Sequence, residues 1–249
     1  MKYKYDIVRD KLDERDYIVE IEELVTNLPN SVDIRNLCPP VYDQGQEGSC
    51  TANAGCAARA MLLGNKALML SRAFLYYQER YLEGTTNSDS GASLRDTCRA
   101  TQMYGICEES YMPYATTNFR TAPSTAAKQN ALKYKVSSYT RLSTLSDIKT
   151  MLYTNKKPVI IGMEVFQSME SDTVAKTGKL PTPANTEQML GGHAVLVVGY
   201  VDTTPTKTNP SSGYLIVRNS WGPNWGDKGY FYMPYEYFNK HTFDYWVIS

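Results

Sequence analysis

Asp43-Gln44-Gly45-Gln46-Glu47-Gly48-Ser49-Cys50-Thr51-Ala52-Asn53-Ala54-Gly55-Cys56-Ala57-Ala58-Arg59-Ala60 decides the reading of this chain. Its first half is irregular, because Gly45 and Gly48 break any periodicity and Asp43, Gln44, Gln46 and Ser49 suit a loop. Its second half is alanine-rich, runs into Met61-Leu62-Leu63 and has high helix propensity. Cys50 falls at the join, so its thiol is expected at a helix N-terminus. Unpaired N–H groups and the helix dipole favour an anion there and lower a thiol's pKa toward the thiolate. A buried core cysteine is the competing reading, since free cysteine is among the most buried residue types. The small residues from Ala54 to Ala60 predict a helix packed closely on nearly all sides.

A thiolate nucleophile needs a base, and the chain has only two histidines. His241 lies in the polar run Asn239-Lys240-His241-Thr242, read as surface loop. His193 follows Gly191-Gly192 and opens the apolar, β-branched run Ala194-Val195-Leu196-Val197-Val198, read as a strand. A second apolar run, Leu215-Ile216-Val217-Arg218, leads into Asn219-Ser220-Trp221-Gly222. An asparagine amide oxygen can accept the second imidazole N–H and fix the tautomer of the ring.

These segments, with Trp225-Gly226 and Gly229-Tyr230, resemble the papain-like cysteine peptidases. His193 follows Cys50 by 143 residues and Gln44 precedes it by six, the order and spacing of that family. Val32-Asp33-Ile34-Arg35 is similar to the start of its mature enzymes, so the likeness runs from about residue 29 to the C-terminus. The family usually carries a half-cystine where this chain has Glu47 and a Trp where it has Thr51. The run from Pro39 to Ala54, with Ser90-Gly91-Ala92-Ser93-Leu94-Arg95, resembles a microbial, xylellain-type branch more than the cathepsins.

The resemblance implies an α+β papain-like fold of two lobes. A helical lobe (about residues 29–120) carries the nucleophile, an antiparallel β-barrel-like lobe (about 121–249) carries the base, and the cleft lies between them. It implies a cysteine endopeptidase acting through a thioester. Cys50 is then the nucleophile, His193 the acid and base, Asn219 its orienting partner and Gln44 an oxyanion donor. It also implies substrate contacts at Gly91, Ala92, Gly162, Gly191, Gly192 and Trp221. The pocket walled by Gly162, Gly191 and Gly192, with Ala92 nearby, reads as roomy and apolar, without an acidic residue to favour Arg or Lys. The same triad can transfer an acyl group to an amine, and an inactive papain-fold binding protein is the alternative outside enzymes.

Bulk properties agree with a globular protein. The 249 residues are 42% apolar and 21% charged, with 26 basic and 26 acidic side chains. That balance gives no reason to expect nucleic acid or an anionic membrane as partner. A peptide or protein substrate and a monomer are expected, with no cofactor and no metal. No apolar run suits a transmembrane helix and the N-terminus does not read as a signal peptide. An intracellular or particle-associated protein is expected, unless a leader is missing. Without a secretory signal, Cys38, Cys56, Cys98 and Cys107 are expected as thiols.

Residues 1–28 are read as an N-terminal arm or short prosegment, which Tyr17, Ile18, Val19 and Ile21 could anchor, or else as a disordered leader, which the mixed charge permits. Helices are expected over Leu70–Tyr81, Ser93–Tyr104 and Leu145–Tyr153. Residues 115–130 are read as a crossover between the lobes and 170–192 as a long loop approaching the cleft. Strands are expected over Tyr134–Tyr139, Val159–Val165, Val195–Tyr200, Tyr214–Arg218 and Gly229–Met233, with a surface hairpin loop over Asp202–Gly213.

Overall fold

The computed structural model describes residues 3–11, 13, 14, 16, 27–116, 118–204 and 212–249. The expected anchors Tyr17, Ile18, Val19 and Ile21 lie outside the described residues, as do residues 205–211 of the hairpin loop.

Helix α1 spans Cys50–Leu62 and buries nearly its whole circumference. Its small residues permit this: a Cβ on Gly55 would come within 2.7 Å of Thr97 and 2.9 Å of Leu75. Those contacts belong to α2 (Arg72–Glu83) and α3 (Leu94–Met103), which pack beside α1. Both start where the sequence predicts. Ser71 Oγ accepts from Phe74 N and Ser93 Oγ from Asp96 N, each satisfying a free helix-start donor.

The second half builds an antiparallel sheet. Its strands are β1 (Ser31–Asp33), β2 (Tyr139–Leu142), β3 (Val159–Phe166), β4 (Met189–Asp202), β5 (Gly213–Arg218), β6 (Tyr230–Pro234) and β7 (Thr242–Ile248). They lie in the order β2-β7-β3-β4-β5-β6, with β1 paired to β4. Among the described residues the sheet is not closed: its first and last strands, β2 and β6, do not pair, so the expected barrel-like lobe is an open sheet. Helix α1 packs on β4 and so joins the two halves.

Several boundaries differ from the sequence reading. The strand expected over Tyr134–Tyr139 starts only at Tyr139, because its partner β7 ends at Ile248 opposite it. The crossover contains α4 (Thr125–Ala131), capped by the Ser124 hydroxyl. The helix expected over Leu145–Tyr153 is α5 (Leu145–Thr150), continued by a wider turn over Met151–Asn155. Within 170–192 lies α6 (Asp172–Thr177), started by Ser171 and stopped by Gly178 at φ +69°. Residues 239–242 are the end of α7 (Tyr235–His241) and the start of β7, not surface loop. Strand β4 begins six residues before Val195, so Gly191 and Gly192 lie inside the ladder, opposite Val165 and Glu164. Glycine lowered the strand signal there, but pairing with β3 decides the structure.

Candidate active site

Four elements meet around Cys50. The residue opens α1, as its sequence predicts, and is fully buried. Its thiol faces the backbone N–H of Ala194, the residue after His193 on β4. His193 is also fully buried, and its Nε2 lies 2.8 Å from Asn219 Oδ1. Asn219 follows β5, and its Oδ1 also accepts from the Ser220 N–H at 2.9 Å. The other imidazole nitrogen, Nδ1, is buried without a hydrogen-bond partner.

Gln44 is tied to the same corner. Its N–H donates to the Ser220 carbonyl at 2.9 Å, and its Oε1 accepts from the Ser220 hydroxyl at 2.6 Å. Its Nε2 donates to the Glu47 carbonyl at 3.0 Å, which uses one of its two amide protons. Trp221 stacks on His193 with ring centroids 5.1 Å apart and planes 26° apart. Gln44, Cys50, His193, Asn219 and Trp221, separated by up to 177 residues in sequence, therefore form one constellation.

The loop before Cys50 is held without a disulfide. Gly48 N donates to Asp89 Oδ1 at 3.0 Å, and the Tyr76 hydroxyl donates to the same oxygen at 2.5 Å. Glu47 is buried, and burial first, then the Asp89 charge, raises its pKa to about 7. Thr51 uses its space differently from a tryptophan: its hydroxyl donates to Glu79 Oε2 at 2.7 Å beneath α1. Burial raises the Glu79 carboxyl to about 8. All five cysteines are free and buried.

The N-terminal arm runs through the site. Ile7 N donates to the Gly192 carbonyl at 3.4 Å and Gly192 N to the Tyr5 carbonyl at 3.3 Å. On the opposite wall, Val8 N donates to the Ala92 carbonyl at 3.1 Å. Gly91 is held by its N–H to the Tyr76 hydroxyl. Tyr3 stacks on Trp221 at 4.0 Å, and the Tyr5 ring meets His193 edge-on at 6.2 Å. Thus Gly91, Ala92, Gly192 and Trp221, all singled out in the sequence, line the arm.

The expected roomy pocket is occupied. A Cβ on Gly162 would lie 2.4 Å from the Phe243 ring, and one on Gly192 would lie 2.3 Å from Ile7 Cγ2. Phe243 could not be found by the sequence reading, because β7 brings it across from outside every motif. An acidic residue, Glu164, also stands directly opposite Gly192 in the ladder, two residues beyond Gly162.

With the arm seated, burial dominates the electrostatics. It pushes the Cys50 thiol up to about 12, against the pull of the Ala194 and Thr51 N–H groups. It pushes His193 down to about 4, despite the Asn219 contact. Both shifts run against the thiolate expected from the helix start, because burial disfavours the charged form of each group.

A cysteine at the head of a buried helix, packed on an open antiparallel sheet that carries histidine, is the architecture of the papain-like proteases. The chain belongs to that family: the family of papain family cysteine proteases matches residues 28–244. It is a cysteine peptidase, a hydrolase. It is 36% identical to an uncharacterized peptidase C1-like protein of Acanthamoeba polyphaga mimivirus, over 94% of this chain and 75% of that one. It is 27% identical to cysteine proteinase 3 of Entamoeba histolytica, over 86% of this chain and 65% of that one. Among solved structures, xylellain, a cysteine protease from Xylella fastidiosa, superposes with a TM-score of 0.87 at 34% identity, over 100% of this chain and 96% of the other. Among the described residues, no helix is long and apolar enough to cross a membrane.

Proposed function

We propose that the chain is an endopeptidase that cleaves peptide bonds through a thioester on Cys50, and that the arm over residues 3–11 holds it closed. Residues 29–249 are then the peptidase domain. The observation that carries this reading is the His193 ring. Its Nε2 is fixed on Asn219 while Nδ1 is left without a partner, one residue before Ala194, whose N–H the Cys50 thiol faces.

In the open enzyme, water re-enters and the two pKa shifts relax, so that the proton moves from the Cys50 thiol to His193 Nδ1. The thiolate attacks the scissile carbonyl. The Cys50 N–H and the free proton of the Gln44 amide receive the oxyanion, a contact whose removal costs about 10²–10³ in kcat. His193 then protonates the leaving amine, and the thioester forms as the C–N bond breaks. Water, deprotonated by the now neutral His193, attacks the thioester and releases the acid. Asn219 keeps the imidazole oriented throughout, and Trp221 shields their hydrogen bond.

The test is intact mass after exposure to a peptidyl epoxide directed at such thiols. The full chain and an Ile7→Asp variant, which removes the aliphatic seat at Gly192, are compared. One adduct on Cys50, formed much faster in Ile7→Asp and abolished by His193→Ala, is the expected result. Equal failure of both chains to react would reject an activatable thiol.

A further inference from the structure

The arm is an extended peptide bound along the site by backbone bonds on both sides, so its side chains report what the walls accept. Alternate residues of an extended chain face the same way. Ile7 and Arg9 face the wall made by β3, β4 and β7, the Arg9 side chain lying across its rim 60% exposed, and Val8 between them is turned the other way. Ile7 seats against Gly192. The Arg9 guanidinium lies 4.3 Å from the centre of the Phe243 ring and 2.5 Å from Glu164 Oε1.

The receiving groups are fixed independently of Arg9. Glu164 stands opposite Gly192 in the β3–β4 ladder, and its carbonyl accepts the Tyr237 hydroxyl at 2.5 Å. Its other carboxylate oxygen, Oε2, lies 3.0 Å from His241 Nδ1. His241 is in turn packed against Phe166, with ring centroids 4.7 Å apart. The Phe243 ring is wedged over Gly162. A fixed carboxylate beside an aromatic face suits a planar guanidinium, which can stack and hydrogen-bond at once, better than an ammonium.

We propose that Glu164 and Phe243, with His241 positioning the carboxylate, form a subsite for a basic side chain of the substrate, arginine before lysine, one residue removed from an aliphatic side chain seated at Gly192. The arm's Arg9 fills this subsite in the closed form. The inference rests on the peptidase reading for the word substrate, but the subsite itself is a binding property.

The test uses the full chain carrying Ile7→Asp and Arg9→Ala together, which vacate the seat at Gly192 and the subsite. Because the arm's direction need not be that of a substrate, two series of labelled peptides are used, containing Arg-x-Ile and Ile-x-Arg. Each has Lys and Gln analogues at the arginine position. Binding is read by fluorescence anisotropy with Cys50→Ala added, and turnover is read with Cys50 intact. In one series the Arg peptide is expected to exceed its Gln analogue about tenfold, the scale of one half-exposed charge-assisted contact plus ring stacking. Glu164→Gln should bring the Arg-to-Gln ratio close to one, and Phe243→Leu should remove the advantage of Arg over Lys. A merely structural role of Glu164 would weaken both peptides together and leave the ratio standing. Equal binding, or none, for Arg and Gln peptides in both series overturns the proposal. Selective binding without turnover by Cys50 would instead reject the peptidase reading and leave the subsite in place.

Discussion

The carbonyl oxygen of Asp6 stands 1.8 Å from the point where a Cβ on Gly91 would sit. Gly91 is also at φ +70°, a conformation that favours glycine. The position is therefore glycine for two reasons: the backbone conformation and the approach of a second backbone.

Replacing it tests the arm's seat. Gly91→Ala should expel the arm from that wall and destabilise the loop by about 1–3 kcal/mol through strain at the positive φ. Hydrogen exchange is the measurement: the Ile7 and Val8 amides, bonded to Gly192 and Ala92, should lose protection. Unchanged protection at Val8 would refute this account of Gly91.

The closed form should hold its thiol inert. With Cys50 pushed up to about 12 and His193 down to about 4, alkylation of the full chain by iodoacetamide should be slow and nearly flat from pH 5 to 8. Ile7→Asp should raise the rate at least tenfold and move its onset to lower pH, as the ion pair forms in re-admitted water. Mass spectrometry across pH resolves both changes.

Gln44→Ala should lower kcat by about 10²–10³ with little change in KM, because the amide proton meets charge only in the transition state. The substitution also removes the acceptor of the Ser220 hydroxyl, so a small loss of stability, about 1 kcal/mol, should accompany it. Steady-state kinetics alongside thermal melts separate the two effects.

Glu79 should make stability fall with rising pH. Its folded pKa of about 8 lies above the ordinary 4.5, so the folded chain keeps a proton that the unfolded chain releases. Stability is therefore lost progressively between about pH 4.5 and 8, and the loss is complete above that window. Glu79→Gln keeps an acceptor for Thr51 and cannot ionise. It should raise the melting temperature by roughly 5–10 °C at pH 8 and by much less at pH 5, which calorimetry at the two pH values would measure.

The sequence alone was enough for the helix opened by Cys50, the positions of α2 and α3, the papain-like α+β class, and Gln44, Cys50, His193 and Asn219 as candidates. Those features depend on local order: glycines that break a helix, alanines that allow close packing, serines that accept free N–H groups, and motif spacing along the chain. Tertiary structure decided what no local pattern encodes. Pairing with β3 drew Gly191 and Gly192 into a strand, and β7 carried Phe243 over Gly162. The sheet remained open, and the arm came to lie between Gly91-Ala92 and Gly192. The direction in which Cys50 and His193 are shifted was set at the same level, because desolvation depends on everything packed around a group. A helix start can favour a thiolate locally, and the burial that opposes it at Cys50 is set by segments brought together from distant parts of the chain.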